Sequence, residues 1–297
     1  MSRERAPRRA RGARRHVEGG LAAHARGRFR KALRHFNRAA AAGDPEGLYR
    51  LGMLYARGTG VVGSLSDAIA WWRPAAERGH AEAQYHLGLA YLHGGRSDGG
   101  IALWYQQAAS VDHDGAERNR ALLFPHGIAV AADPEEALRW CRAAAEQGLA
   151  AAQATLALMH ARGIGCTVDY TMARRWYAAA AAQGHAAGEL GLGVICANGF
   201  GVAIDLSAAA GWYEQAAARG NADAQVALGL MCGAGQGMAR DPARAVRLFE
   251  QAAESGNARA MHHLGVHLLA GDGVATNPVM AETHWRRSAR GGHVPAM

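Results

Sequence analysis

Apolar and polar positions recur along residues 44–292 with a period of 36. Units open at Asp44, His80, His113, Leu149, His185, Asn221 and Asn257, and only the step from His80 is shorter, at 33. A period of this length is the mark of stacked supersecondary units, each too small to bury its apolar side except against its neighbours. In the first half of a unit, Leu51-Gly52, Leu87-Gly88, Leu192, Leu228-Gly229 and Leu264-Gly265 mark a buried stripe. Tyr55 and Tyr91 continue it three positions beyond their glycines, at helical spacing. In the second half, Ala68, Ala137, Ala173 and Ala209 stand three residues before Trp71-Trp72, Trp140-Cys141, Trp176-Tyr177 and Trp212-Tyr213. Alanine pairs such as Ala75-Ala76 and Ala216-Ala217 follow. The pattern predicts two short helices per unit, each with one apolar face.

Glycine pairs separate the two halves: Gly58-Thr59-Gly60, Gly163-Ile164-Gly165, Gly199-Phe200-Gly201 and Gly271-Asp272-Gly273. They predict a helix stop with residues free to take positive φ. A phosphate-binding G-x-G loop would need a strand before it, whereas these glycines have helical patterns on both sides. Downstream, Asp133-Pro134, Asp241-Pro242 and Asn277-Pro278 place an acceptor and then a proline, as at the cap and first position of a helix, and Asp169 and Asp205 share that offset. Two copies depart from the pattern. The second lacks three loop residues around Gly94-Gly95-Arg96, and the third has Arg120 and Ala121 for the Leu-Gly pair and Pro125 where its first helix should still run.

Taken together, these motifs resemble the Sel-like repeat family, the short α/α repeats related to tetratricopeptide repeats. The resemblance covers residues 44–292 of the 297. It implies an all-α fold, a right-handed α/α superhelical solenoid of about seven two-helix repeats, over 44–79, 80–112, 113–148, 149–184, 185–220, 221–256 and 257–292. It also implies a non-enzymatic interaction scaffold or adaptor, one that holds a peptide or protein segment in a groove lined by first helices and serves signalling or envelope-associated assembly. By the tetratricopeptide analogy, contacts would come from Glu46, Tyr49, Arg50, Glu82, Tyr85, His86, Arg118, Arg259, His262 and His263.

The ends read differently. Residues 1–38 hold 13 Arg and Lys against Glu4 and Glu18, a net of +11, while the remainder has 20 against 23, a net of −3. Residues 1–20 are expected as a basic, disordered arm. Its run of Arg3, Arg5, Arg8, Arg9, Arg11, Arg14 and Arg15 is also the basis of an alternative function, electrostatic attachment to anionic lipid or nucleic acid. The run has no apolar core of a signal peptide, and no apolar stretch approaches a membrane span. Residues 21–43, with Phe29, Leu33 and Phe36, read as a degenerate helical pair covering the first unit, and 293–297 as the start of an incomplete one.

Candidate chemistry is sparse. Cys141, Cys166, Cys196 and Cys232 occupy packing offsets and read as free thiols in a reducing, cytoplasmic compartment, without disulfides. Among the histidines, His80, His113, His185 and His293 share the turn at the start of a unit. His262, His263 and His267, with His284, form the one cluster with ligand-like spacing, but no acidic second shell accompanies it, so no metal or cofactor is expected. No nucleophile elbow, Walker loop or zincin helix occurs. A hydrolase built on His113, Asp114 or His126 is the second alternative.

Overall fold

Thirteen-residue helices follow from the punctuation of each unit, because an acceptor side chain caps the start and a left-handed glycine stops the chain about three and a half turns later. The structure, a computed structural model, describes residues 5–93 and 133–291. Among the described residues there are fourteen helices and no strand. They are α1 (Arg5–Ala25), α2 (Phe29–Ala41), α3 (Pro45–Arg57), α4 (Leu65–Glu77), α5 (Ala81–His93), α6 (Pro134–Glu146) and α7 (Ala150–Arg162), then α8 (Tyr170–Ala182), α9 (Ala186–Asn198), α10 (Leu206–Ala218), α11 (Ala222–Ala234), α12 (Pro242–Glu254), α13 (Ala258–Ala270) and α14 (Pro278–Arg290). The architecture is a helical repeat solenoid of about seven two-helix repeats.

The chain divides into two units, Met1–Ala152 with Gly163–Thr167, and Gln153–Arg162 with Val168–Met297. In the first, each helix from α1 to α6 packs on the next, and a core forms around Phe36, Leu51 and Leu54 with Trp71 against it. In the second, α8 to α14 do the same around Tyr213, Val226, Leu228, Phe249 and Leu264. Within a hairpin, the glycine of the Leu-Gly pair is a socket. A methyl group added at Gly229 would lie 2.7 Å from the Phe249 ring, and one at Gly193 2.5 Å from Tyr213. The recurring glycine is thus explained by the aromatic side chain of the second helix, which needs that space. The expected caps form at Asp133, Asp169, Asp205, Asp241 and Asn277, and Asp44 and Ser64 cap in the same way, each side chain accepting a hydrogen bond from the backbone N–H three residues on.

Two local arrangements bear on these expectations. The first concerns the middle of the array. Asp133 N–H donates to Tyr91 O at 3.0 Å, as Ser64 N–H donates to Tyr55 O at 3.0 Å and Asp205 N–H to Cys196 O at 3.0 Å. Cys141 Sγ occupies the socket at Gly88, where an added methyl would meet it at 2.7 Å. So α5 and α6 form one hairpin, although the sequence places them in successive units, 80–112 and 113–148. Nine residues separate the bonded pair elsewhere and forty-two separate it here. Helix α6 carries the same face as any second helix, with Ala137, Cys141 and Ala144 buried. Residues 94–132, including Arg118, His113, Asp114, Pro125 and His126, lie outside the described residues.

The second is at the N-terminus, where helix α1 runs through much of the segment expected as a disordered arm. Ala13, Val17 and Ala23 are buried, and a methyl at Gly20 would run into the Phe36 ring. These residues recur at helical spacing, so α1 closes on α2, and the pair begins well before residue 21.

Candidate partner-binding face on the first helices

In the first unit the predicted residues of α3 and α5 come together. Asp44 caps α3 and Pro45 begins it, which sets Glu46 in the first turn facing the start of α5. Arg50 Nε donates to Glu46 Oε1 at 2.6 Å, and His80 Nε2 stands 2.8 Å from Glu46 Oε2. The backbone N–H of Ala83 donates to His80 Nδ1 at 3.2 Å, which puts the ring proton on Nε2, so His80 caps α5 and donates to Glu46 at once. The His80 hydrogen bond foremost, then Arg50, hold the Glu46 carboxyl down to about 2 against its partial burial.

Beside this pair runs an aromatic stack. The Tyr49 ring lies 4.7 Å from His80 and 5.7 Å from His86, both stacked, and His86 lies 5.3 Å from Trp72. The Arg50 guanidinium sits 5.3 Å from the Tyr49 ring centre. Burial pushes the Tyr49 phenol up to about 12 and the His86 imidazole down to about 3, so both are neutral across the physiological range. Tyr49 is only 7% exposed, and its role is in the wall of the stack. Tyr85 and His86 are half-buried, and Glu82 is exposed, 3.5 Å from His80 Nδ1. The surface these groups make is a neutral aromatic floor with a carboxylate rim.

The remaining predicted residues lie on α13 in the second unit. Arg259 is exposed, and His262 and His263 are half-buried. His263 stacks on Phe249 at 5.4 Å, the His262 carbonyl accepts from Trp285 Nε1 at 3.1 Å, and His267 Nδ1 donates to Asp272 O at 2.8 Å. Two of the three rings therefore serve packing and a loop contact. Among the described residues no group of three or more His, Cys, Asp or Glu is placed to hold a metal ion.

Two features were missed in the sequence. Val194, Leu230 and Val266 occupy one offset of α9, α11 and α13 and are 37%, 38% and 43% exposed, an apolar row on successive first helices. The 36-residue spacing was visible, but next to Leu192, Leu228 and Leu264 it merged with the buried stripe. The other is a polar rung. Glu189, 1% exposed, accepts from Arg219 Nε through both oxygens at 2.9 and 3.1 Å. Gln153 at the same offset accepts from Gln183, and Gln225 donates to Ala217 O.

The sequence profile of the Sel1 repeat matches residues 29–44, 45–80, 81–113, 116–149, 150–185, 186–221, 222–257 and 258–293. A crystal structure of a Sel1 repeat protein from Oxalobacter formigenes is similar at TM-score 0.75 and 25% identity, covering 92% of this chain and 96% of that one. The structure of a protective antigen present in uropathogenic Escherichia coli strains, which displays an SLR fold, is similar at TM-score 0.51 and 33% identity, over 88% of this chain and 56% of that one. No match to a curated protein was found. Sel1 repeat proteins are in general protein–protein interaction scaffolds. With repeat matches running from residue 29 to residue 293, the chain belongs to the Sel1 repeat family.

Proposed function

We propose that this chain is a cytoplasmic adaptor that captures a protein segment on the faces of its first helices and so assembles a signalling or envelope-associated complex. The observation that carries the reading is the exposed apolar row Val194, Leu230 and Val266, repeated at one offset where an isolated solenoid has no packing use for it. The Glu46, Arg50, Tyr85 and His86 surface of the first unit is a second contact area, with fixed polar groups that would orient a partner. Cys141, Cys166, Cys196 and Cys232 sit at packing positions and are not joined in disulfides, which suits a reducing compartment. The test is affinity capture with the wild type and with V194E/L230E/V266E. These three side chains are already solvent-facing, so helicity by circular dichroism should hold while the captured protein is lost. Equal capture by both would overturn the assignment of the row. A parallel variant changing Arg50, Tyr85 and Glu82 reports on the first unit.

A further inference from the structure

The α1–α2 hairpin carries a surface that partner capture on the first helices does not use. Residues 11–41 expose nine cations, among them Arg11, Arg15, Arg30, Lys31 and Arg34, against one carboxylate, Glu18, which is bonded to Arg14 at 3.4 Å. The cations point outward because the inward faces are spent: Ala13, Val17 and Ala23 of α1 and Ala32, Phe36 and Ala39 of α2 are buried. At 100° per residue Arg11 and Arg15 fall opposite Ala13 and Val17, and Arg30, Arg34 and Arg38 form one row along α2. Between the helices the His16 and His35 rings lie 5.7 Å apart. His35 is held below its ordinary pKa by desolvation, with His16, Lys31, Arg38 and Arg34 adding positive potential. The rest of the chain is net −3, so the basic field belongs to the hairpin.

The chemistry of the surface selects among anionic occupants. A membrane-surface helix needs large apolar side chains to enter the headgroup boundary, and a protein interface needs an apolar centre. Among the hairpin's described side chains, Leu21, 38% exposed, is the one large apolar group left exposed. Single-stranded nucleic acid is held by stacking on exposed aromatics. Here Phe36 is 1% exposed, and Phe29 is half-buried with its ring edge-on to His24 at 5.3 Å. What remains is a sugar-phosphate backbone, which asks only for outward cations at regular spacing. We propose that the α1–α2 hairpin docks this scaffold onto the phosphate backbone of double-stranded nucleic acid without reading its sequence. The hairpin shares no residue with the first-helix contact faces, so the two proposals stand or fall separately.

The test uses the full chain and a fluorescein-labelled 20-base-pair duplex of arbitrary sequence, followed by anisotropy between 50 and 200 mM salt. Binding should weaken steeply with salt, and R11Q/R15Q/R30Q/R34Q should bind at least about tenfold more weakly at 50 mM. Its log–log salt slope should be lower by about 3 to 4, since each phosphate contact contributes about 0.9. The corresponding Arg→Lys set keeps the charge and should bind within about threefold of wild type. The proposal is overturned by a flat salt slope of the wild type, by equal binding of the folded Gln set, or by loss of binding in the Lys set with helicity intact. It is overturned as well by preference for a single strand of the same length, or by binding to vesicles containing anionic phosphatidylserine with the duplex left free. If the Gln set loses helicity, the wild-type slope and the Lys set decide.

Discussion

His86 carries the sharpest consequence at the scale of single residues. Stacked between Tyr49 and Trp72, it is held neutral by burial down to about pH 3, whereas an unfolded chain protonates it near its ordinary 6.5. The unfolded state therefore binds more protons throughout that window, and stability must fall as pH drops from 6.5 toward 3. Glu46 acts in the same direction lower down: its paired carboxylate stabilises fully above its ordinary 4.5, and the contribution is lost as pH falls toward 2. His86→Phe, which keeps a ring in the stack, should flatten the decrease in melting temperature between pH 7.5 and 5. An unchanged decrease would show that other groups set it. Sequence reading placed Tyr49, Arg50 and His86 on a first helix, but their exposure was beyond it. Neighbouring positions differ by 100° around a helix, and whether Tyr49 faces water depends on the His80 and His86 rings brought by the next unit.

Among the elements, one hairpin of thirteen-residue helices is the unit of construction, and its tolerance for change is set by the socket. Gly229→Ala would drive a methyl group to 2.7 Å from Phe249, a ring with no exposure. The expected loss is about 1–3 kcal/mol, read as a lower urea midpoint, and pairing it with Phe249→Leu should recover part of it. Stability unaltered in the single variant would refute the socket. The caps and loop glycines were legible in the sequence because each needs only residues three or four apart. Helix α1 was not, because a density of arginine that reads as disorder outweighed the small residues Ala13, Val17, Gly20 and Ala23. Those residues acquire meaning only when Phe36 lies against them.

For the molecule as a whole, stability is a sum of hairpins and nearest-neighbour contacts, so rearranging which halves pair leaves the local physics unchanged. The α5–α6 hairpin gives this a direct test. Removing residues 97–129 leaves Tyr91 and Asp133 nine positions apart, with Gly94 at the offset of Gly58 and Val130 at that of Val61. This deletion variant should fold, with undiminished helicity per residue and a melting temperature within a few degrees of wild type. Its collapse would mean that α5 and α6 do not form one repeat. By itself the sequence determined the repeat, the two helices in each unit, their caps and stops, and the membership of the Sel1 family, because those features rest on contacts a few residues apart, repeated at a fixed period. The tertiary structure alone decided which second helix meets which first, which side chains the neighbouring unit covers, and that the arginine-rich start joins the array. Among the described residues the sockets at Gly52, Gly88, Gly193, Gly229 and Gly265 accept an aromatic or a thiol, so local pattern leaves the pairing degenerate and long-range packing chooses among the candidates.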